Sequence, residues 1–264
     1  MSWRLTGVAL AAIALSGHDL YLMPGAFFVS PGERITLGIH NGDSFPESEV
    51  APVLARLRDA SLITPDAVYN VTNLLASGKA VVGQTNIRSR GTLILAVRTV
   101  PHVLELPVDQ FRAYLKEEGL TRVLRDQPDN RKARERYGKY AKALIVSGAP
   151  DGFYAHPAGL EIEIIPEKDP YALRGSGELP VRVLLRGKPA ADLQLETARA
   201  REGAAAEVRI VGRTDANGRL AVPINGAGKW RLHAVAMERC ADASVADWES
   251  YWASLTFEVR GEKK

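Results

Sequence analysis

Cysteine is nearly absent from this chain of 264 residues, where Cys240 stands alone. One thiol excludes an internal disulfide and any thiolate metal cluster, so a bound metal would have to be held by nitrogen and oxygen. An excess of one charge sign is also missing: 34 Lys and Arg stand against 31 Asp and Glu, for a formal net charge of +3. That balance leaves no electrostatic footprint for nucleic acid. Apolar runs all fall short of the roughly twenty residues that a bilayer span needs. The common catalytic signatures are missing as well. Ser44, Ser147 and Ser254 sit in no G-x-S-x-G elbow. Gly226-Ala227-Gly228 opens no helix and has no following Lys-Ser or Lys-Thr to cradle phosphate. On these grounds a non-enzymatic protein is expected.

The start of the chain carries the clearest positive signal. Arg4 precedes a weakly polar to apolar run, Leu5–Leu15, which gives way to Ser16-Gly17 and then abruptly to His18-Asp19. This is the layout of a secretory signal peptide over residues 1–17, followed by a soluble exported protein with no membrane span. Cleavage after Ser16 leaves Ala14 and Ser16 as the small residues a signal peptidase prefers. Cleavage after Gly17 makes His18 the new N-terminus, where its α-amino group and ring nitrogen can chelate one metal ion together.

Periodicity predicts a mainly β chain of two β-sandwich domains, 18–152 and 153–264, with a helical pair attached to the first. In the first domain Glu33–Ile39 alternates, with Ile35, Leu37 and Ile39 on one face, and the loop His40-Asn41-Gly42-Asp43-Ser44 follows. Gly91–Val97 offers almost no polar alternation and reads as a strand buried on both faces. A helical segment is predicted over 107–144. Its first helix carries Phe111 and Leu115 and stops at Gly119; its second begins near Asp129 with Ala133, Tyr137, Tyr140, Ala141 and Leu144 as an apolar stripe. After the linker 148–152, about seven short strands point to a sandwich of immunoglobulin or transthyretin-like type. They are 160–165, 181–186, 193–197, 208–211, 220–224, 230–237 and 253–259. Asn217-Gly218 supplies the positive φ of one hairpin turn.

Five histidines are the metal-ligand candidates: His18, His40, His102, His156 and His233. None is spaced as HxH, HxxxH or HExxH, so a site must be assembled from remote segments. Of these, His18, His40 and His233 are taken as ligands for a divalent transition metal, with nickel, cobalt, copper and zinc as the ions that imidazole suits. His233 and Met237 share a strand face opposite Leu232, Ala234 and Ala236. The carboxylate pairs Glu47/Glu49 and Glu161/Glu163 read as solvated surface charges.

A second reading, a carbohydrate or cell-envelope ligand-binding module, rests on two features. Between Arg122 and Lys142 eight basic residues face three acidic ones. A basic helix face bearing Arg134, Arg136 and Lys142 would hold an anionic ligand. At the other end of the chain Trp248, Tyr251, Trp252 and Phe257 gather, and Trp252 is out of phase with Leu255 and Phe257. Trp248 and Trp252 are the rings on which a sugar would stack, or which would pack against the first domain.

Five segments together resemble a known family: His18–Pro24, Glu135–Leu144, Gly187-Lys188-Pro189, Arg213–Arg219 and Trp248–Glu258. They are similar to exported bacterial proteins of a domain-of-unknown-function family often labelled the periplasmic component of a cobalt/nickel ABC transport system. Thr-Asp-x-x-Gly within Arg213–Arg219 also resembles carboxypeptidase-regulatory-like sandwiches. The resemblance implies a periplasmic, two-domain, largely β protein, a metal-handling accessory whose partners are envelope transport components.

Overall fold

The computed structural model describes residues 18–128 and 132–261. The leader expected over residues 1–17 lies outside them, as do Asp129, Asn130 and Arg131 of the expected second helix. The first half supplies strands β1 (Leu20–Pro24), β2 (Phe28–Val29), β3 (Arg34–Asn41), β4 (Leu57–Ile63), β5 (Val68–Asn70), β6 (Thr72–Ser77), β7 (Ala80–Asn86), β8 (Gly91–Thr99), β9 (His102–Leu106) and β10 (Ala133–Ser147). Helices α1 (Val108–Glu117) and α2 (Thr121–Asp126) lie between β9 and β10. The second half supplies β11 (Ile162–Pro166), β12 (Gly177–Leu185), β13 (Lys188–Pro189), β14 (Gln194–Ala200), β15 (Glu207–Arg213), β16 (Arg219–Ile224), β17 (Gly228–Arg239) and β18 (Trp248–Val259). The chain is mainly β, and each of the seven alternating runs predicted after the linker overlaps one of these strands. Among the described residues no helix is long and apolar enough to cross a membrane.

A ten-stranded sheet runs through the whole molecule in the order β15-β14-β17-β18-β10-β8-β4-β5, with β2 and β9 also paired to β10. Strands from both sides of the 148–152 linker therefore share one sheet, joined where β10 runs parallel to β18 from Glu135↔Trp248 to Ala143↔Thr256. Both faces of this sheet are covered, and alternation along β8 shows by what. Ile94 and Ala96 enter a core with Ile164 of β11, Val181 of β12 and Val222 of β16. Leu93, Leu95 and Val97 enter another with Leu22 of β1, Leu37 of β3 and Val81 of β7. The face that meets β1, β3 and β7 is extended by the helices, where Val235, Trp248 and Trp252 pack on Phe111, Leu115 and Val123. A strand covered on both sides needs apolar residues at successive positions, which is what Leu93–Val97 supplies.

The helical segment predicted over 107–144 is corrected by this sheet. Its first part forms α1 and α2, but helix ends at Asp126, and Ala133–Ser147 is a strand of 15 residues. The stripe Ala133, Tyr137, Tyr140, Ala141 and Leu144 is split between two faces: Ala133, Tyr137 and Ala141 on one, Tyr140 and Leu144 on the other. Periodicity misleads here because both faces are buried, so apolar residues need not alternate with polar ones. Three charged residues of the strand, Glu135, Lys139 and Lys142, are buried too.

Gly218 takes the φ of +72° that its Asn-Gly signal predicts, but the turn joins no hairpin: β15 pairs with β14 in the ten-stranded sheet and β16 with β12 in another, so the turn carries the chain from one sheet to the other. A Cβ there would meet Val183 O at 2.5 Å, so the position requires glycine for space as well as for conformation.

Candidate metal centre

His18 and Asp19 immediately precede β1, whose ladder with β3 sets Leu20 opposite Asn41. One further bond, Gly42 N to Asp19 O at 3.0 Å, continues that pairing into the loop that follows β3. The loop then folds back on itself, with Glu49 N donating to Asn41 O at 3.0 Å. Gly42 permits this, since a Cβ there would lie 2.9 Å from Glu49 N. The fold-back brings both ends of the loop to His18. His18 Nδ1 lies 2.9 Å from Asp43 Oδ2 and 3.3 Å from Glu49 Oε2. Ser44 holds the other oxygen, Glu49 Oε1, through its backbone N–H at 3.0 Å and its hydroxyl at 2.5 Å. The hydroxyl bond is the first cause that lowers the Glu49 pKa below the carboxylate norm, and it leaves Oε2 turned toward the imidazole.

Beneath this trio, in which Asp43 is exposed and His18 and Glu49 are half-buried, lies a buried charge network. Asp19 Oδ2 pairs with Arg231 Nη1 at 2.8 Å, and Asp19 Oδ1 with His233 Nδ1 at 2.9 Å. On its other side, His233 Nε2 meets Glu118 Oε2 at 3.0 Å, at the end of α1. Arg231 Nη2 reaches Glu196 Oε1 at 2.7 Å. Burial opposes ionisation of Asp19, but His233 and Arg231 outweigh it and hold the carboxyl down at about 2. Burial likewise opposes charge on His233, and Asp19 with Glu118 outweighs it, raising the imidazole to about 10. The ring is therefore a fixed cation. Lys139 Nζ donates to the His18 carbonyl and, at 3.3 Å, to Asn41 Oδ1. Ser254 and Thr256 on β18 donate hydroxyl bonds of 2.7 and 2.6 Å to the carbonyls of Leu20 and Leu22. The first described residues are thus clamped onto the central sheet.

The three histidines expected to act as ligands are not brought together. Only His18 belongs to a group of closely set donor atoms; with Asp43 and Glu49, these atoms all fall within 4.8 Å of one another. His233 has both ring nitrogens engaged by carboxylates. His40 packs beside Tyr21 with ring centroids 5.5 Å apart, and burial lowers its pKa. Asp43 was legible only as part of a polar loop. The i,i+2 spacing of Glu47 and Glu49 predicts a solvated strand surface, whereas the loop folds Glu49 inward toward His18.

The residues expected on a basic, ligand-holding helix face stand instead on β10, each with a partner. Arg134 donates to the carbonyls of Ser244 and Ala243 at 2.9 and 2.8 Å. Arg136 pairs with Glu249. The Lys142 side chain is 1% exposed and pairs with the equally buried Glu163 at 3.3 Å. Trp248 and Trp252 are 3% exposed and offer no face on which a sugar could stack. Trp248 Nε1 donates to Gln127 Oε1 at 2.7 Å, and Trp252 stacks on Tyr114 of α1 with centroids 5.5 Å apart and planes 14° apart. Packing against the first half, the other use expected of these rings, is the one observed.

Next to Trp252, Glu135 accepts bonds from Tyr114 Oη at 3.0 Å and from the Ser250 hydroxyl. Burial pushes its carboxyl up to about 7, against the pull of those two donors and of Lys139. A raised folded pKa favours the protonated form, so the cost of ionising Glu135 is absent below the ordinary value of 4.5 and grows as pH rises to about 7. The expected result is that Glu135→Gln gains about 3 kcal/mol over the parent between about pH 4 and about pH 8. Urea unfolding at the two pH values measures it; a constant difference would contradict the buried-acid assignment.

No curated protein sequence matches the chain. Solved structures similar to it include a DUF4785 family protein from Legionella pneumophila, at 12% identity and a TM-score of 0.25, covering 81% of this chain and 52% of that one. The Yersinia pseudotuberculosis adhesin InvE matches at 12% identity and 0.23, covering 91% and 58%. The Escherichia coli adhesin FdeC matches at 13% and 0.24, covering 93% and 64%. The chain thus spans 52% to 64% of these three proteins, and at such TM-scores none of them bears on what it does. A family model, by contrast, matches residues 15–238, a stretch that takes in the whole His18, Asp43 and Glu49 loop. The chain belongs to the DUF4198 family, a domain of unknown function.

Proposed function

We propose that this protein is an exported, non-enzymatic binding or accessory protein for a divalent transition metal, with His18, Asp43 and Glu49 as ligands. The observation that carries the reading is the convergence of one imidazole nitrogen and two carboxylate oxygens from separate ends of a folded-back loop. Metal–ligand bonds of about 2.1 Å place neighbouring donors about 3 to 3.5 Å apart, and the two distances from His18 Nδ1 are 2.9 and 3.3 Å. The bonds from Ser44 to Glu49 orient a ligand from outside the first sphere, as such sites require. A cleft of about 960 Å³, lined by Phe45 and Glu47 and by the 200–206 turn, reaches this site at Asp43. An accessory role in metal uptake at the cell envelope, with transport components as partners, is the part of this proposal that the expected leader and the resemblance to exported transport-labelled proteins support.

Calorimetric titration with Ni²⁺, Co²⁺, Cu²⁺ and Zn²⁺ tests this. Binding at about micromolar or tighter is expected for at least one ion. His18→Ala, Asp43→Asn and Glu49→Gln should each weaken it by about tenfold or more, while Glu47→Gln leaves it unchanged. Failure of all four ions to bind would overturn the reading.

A further inference from the structure

Resting on the metal reading above and on the second of the two cleavages the sequence allows, the one after Gly17, we infer that the α-amino group of His18 is a further ligand of the same site. The full site then exists only in the processed protein and takes an ion of the copper(II) or nickel(II) class. Of the two ring nitrogens, it is Nδ1 that faces Asp43 and Glu49, at 2.9 and 3.3 Å. Nδ1 can share an ion with the α-nitrogen of its own residue, closing a chelate ring through Cα, Cβ and Cγ. Nε2, on the far side of the ring, cannot.

The backbone on the carbonyl side of His18 is already fixed. Lys139 Nζ holds the His18 carbonyl, Gly42 N holds the Asp19 carbonyl at 3.0 Å, and the Asp19 side chain is locked between Arg231 and His233. His18 is therefore presented by a rigid support, which is what a preorganised metal ligand needs. Before cleavage the His18 nitrogen is an amide whose lone pair is delocalised into the carbonyl, and the donor set is one nitrogen and two carboxylates. Hydrolysis of the Gly17–His18 bond turns that nitrogen into an amine, and the set becomes two nitrogens and two carboxylates. Tetragonal sets of nitrogen and oxygen are the preference of Cu(II) and Ni(II).

The test compares two chains: one beginning at His18 with a free amino group, the other with that nitrogen acylated by an uncleaved tag. Both are titrated with Cu²⁺, Ni²⁺ and Zn²⁺, and the copper forms are read by electron paramagnetic resonance. Near-ultraviolet circular dichroism shows that both chains are folded. The expected result is Cu²⁺ binding more than about tenfold tighter to the free-amino chain, with one nitrogen more in its copper hyperfine pattern and a smaller gain for Zn²⁺. Equal affinities and equal nitrogen counts overturn this inference and leave the three-ligand site standing. Absence of binding in both chains overturns the two together.

Discussion

Replacing Asp19 with alanine lowers the unfolding free energy by about 3 to 5 kcal/mol, the cost of leaving buried charges without their partner. Asp19 is the shared counter-ion of Arg231 and His233, whose side chains are 3% and 6% exposed. Without the carboxylate, Glu196 and Glu118 still neutralise one cation each, but both cations face an empty position in the core. The pH dependence has a sign at each end. The folded Asp19 pKa of about 2 lies below the ordinary 3.8, so its stabilisation is present above 3.8 and is lost as pH falls through 2. The folded His233 pKa of about 10 lies above 6.5, so its contribution is complete below 6.5 and is lost as pH rises through 10. Between those limits the network contributes fully, and there the variant should differ most from the parent. Guanidinium unfolding near pH 5 to 6 measures the difference; a loss under about 1 kcal/mol would mean that the network adds little to the fold.

Lys142→Met should cost a similar amount, about 3 to 5 kcal/mol, because it strands Glu163 in the core between the β10 face and β11. Glu163 also accepts the backbone N–H groups of Ala158 and Gly159 at 2.8 and 3.2 Å, so its charge cannot swing out to solvent without releasing the loop before β11. The double variant Lys142→Met with Glu163→Gln should be more stable than Lys142→Met alone, since no uncompensated charge then remains. Equal unfolding midpoints for Lys142→Met and the parent would mean that the buried pair adds little to the stability of the fold.

Much of the architecture was written in local chemistry. Alternation around Ile35, Leu37 and Ile39 placed β3, the unbroken apolar run marked β8, and Asn217-Gly218 marked a turn with positive φ, although that turn crosses between sheets and closes no hairpin. His18 was legible as a candidate donor from its residue type and position. The same local signals failed at Ala133–Ser147, where helix and strand periods both fit a segment buried on two sides. They failed also at Glu49, whose place beside His18 depends on a loop closing back across Gly42.

By itself, then, the sequence determined the β class, the strands after the linker and the pool of nitrogen and oxygen donors, because turn residues and side-chain alternation act within a few positions of the chain. Only the tertiary structure decided that Glu135 stands beside Trp248 and that Asp19 meets Arg231 and His233. It alone joined His18 to Asp43 and Glu49. A strand's partner and a buried charge's counter-ion come from residues distant in the sequence, and nothing local to either one specifies the other.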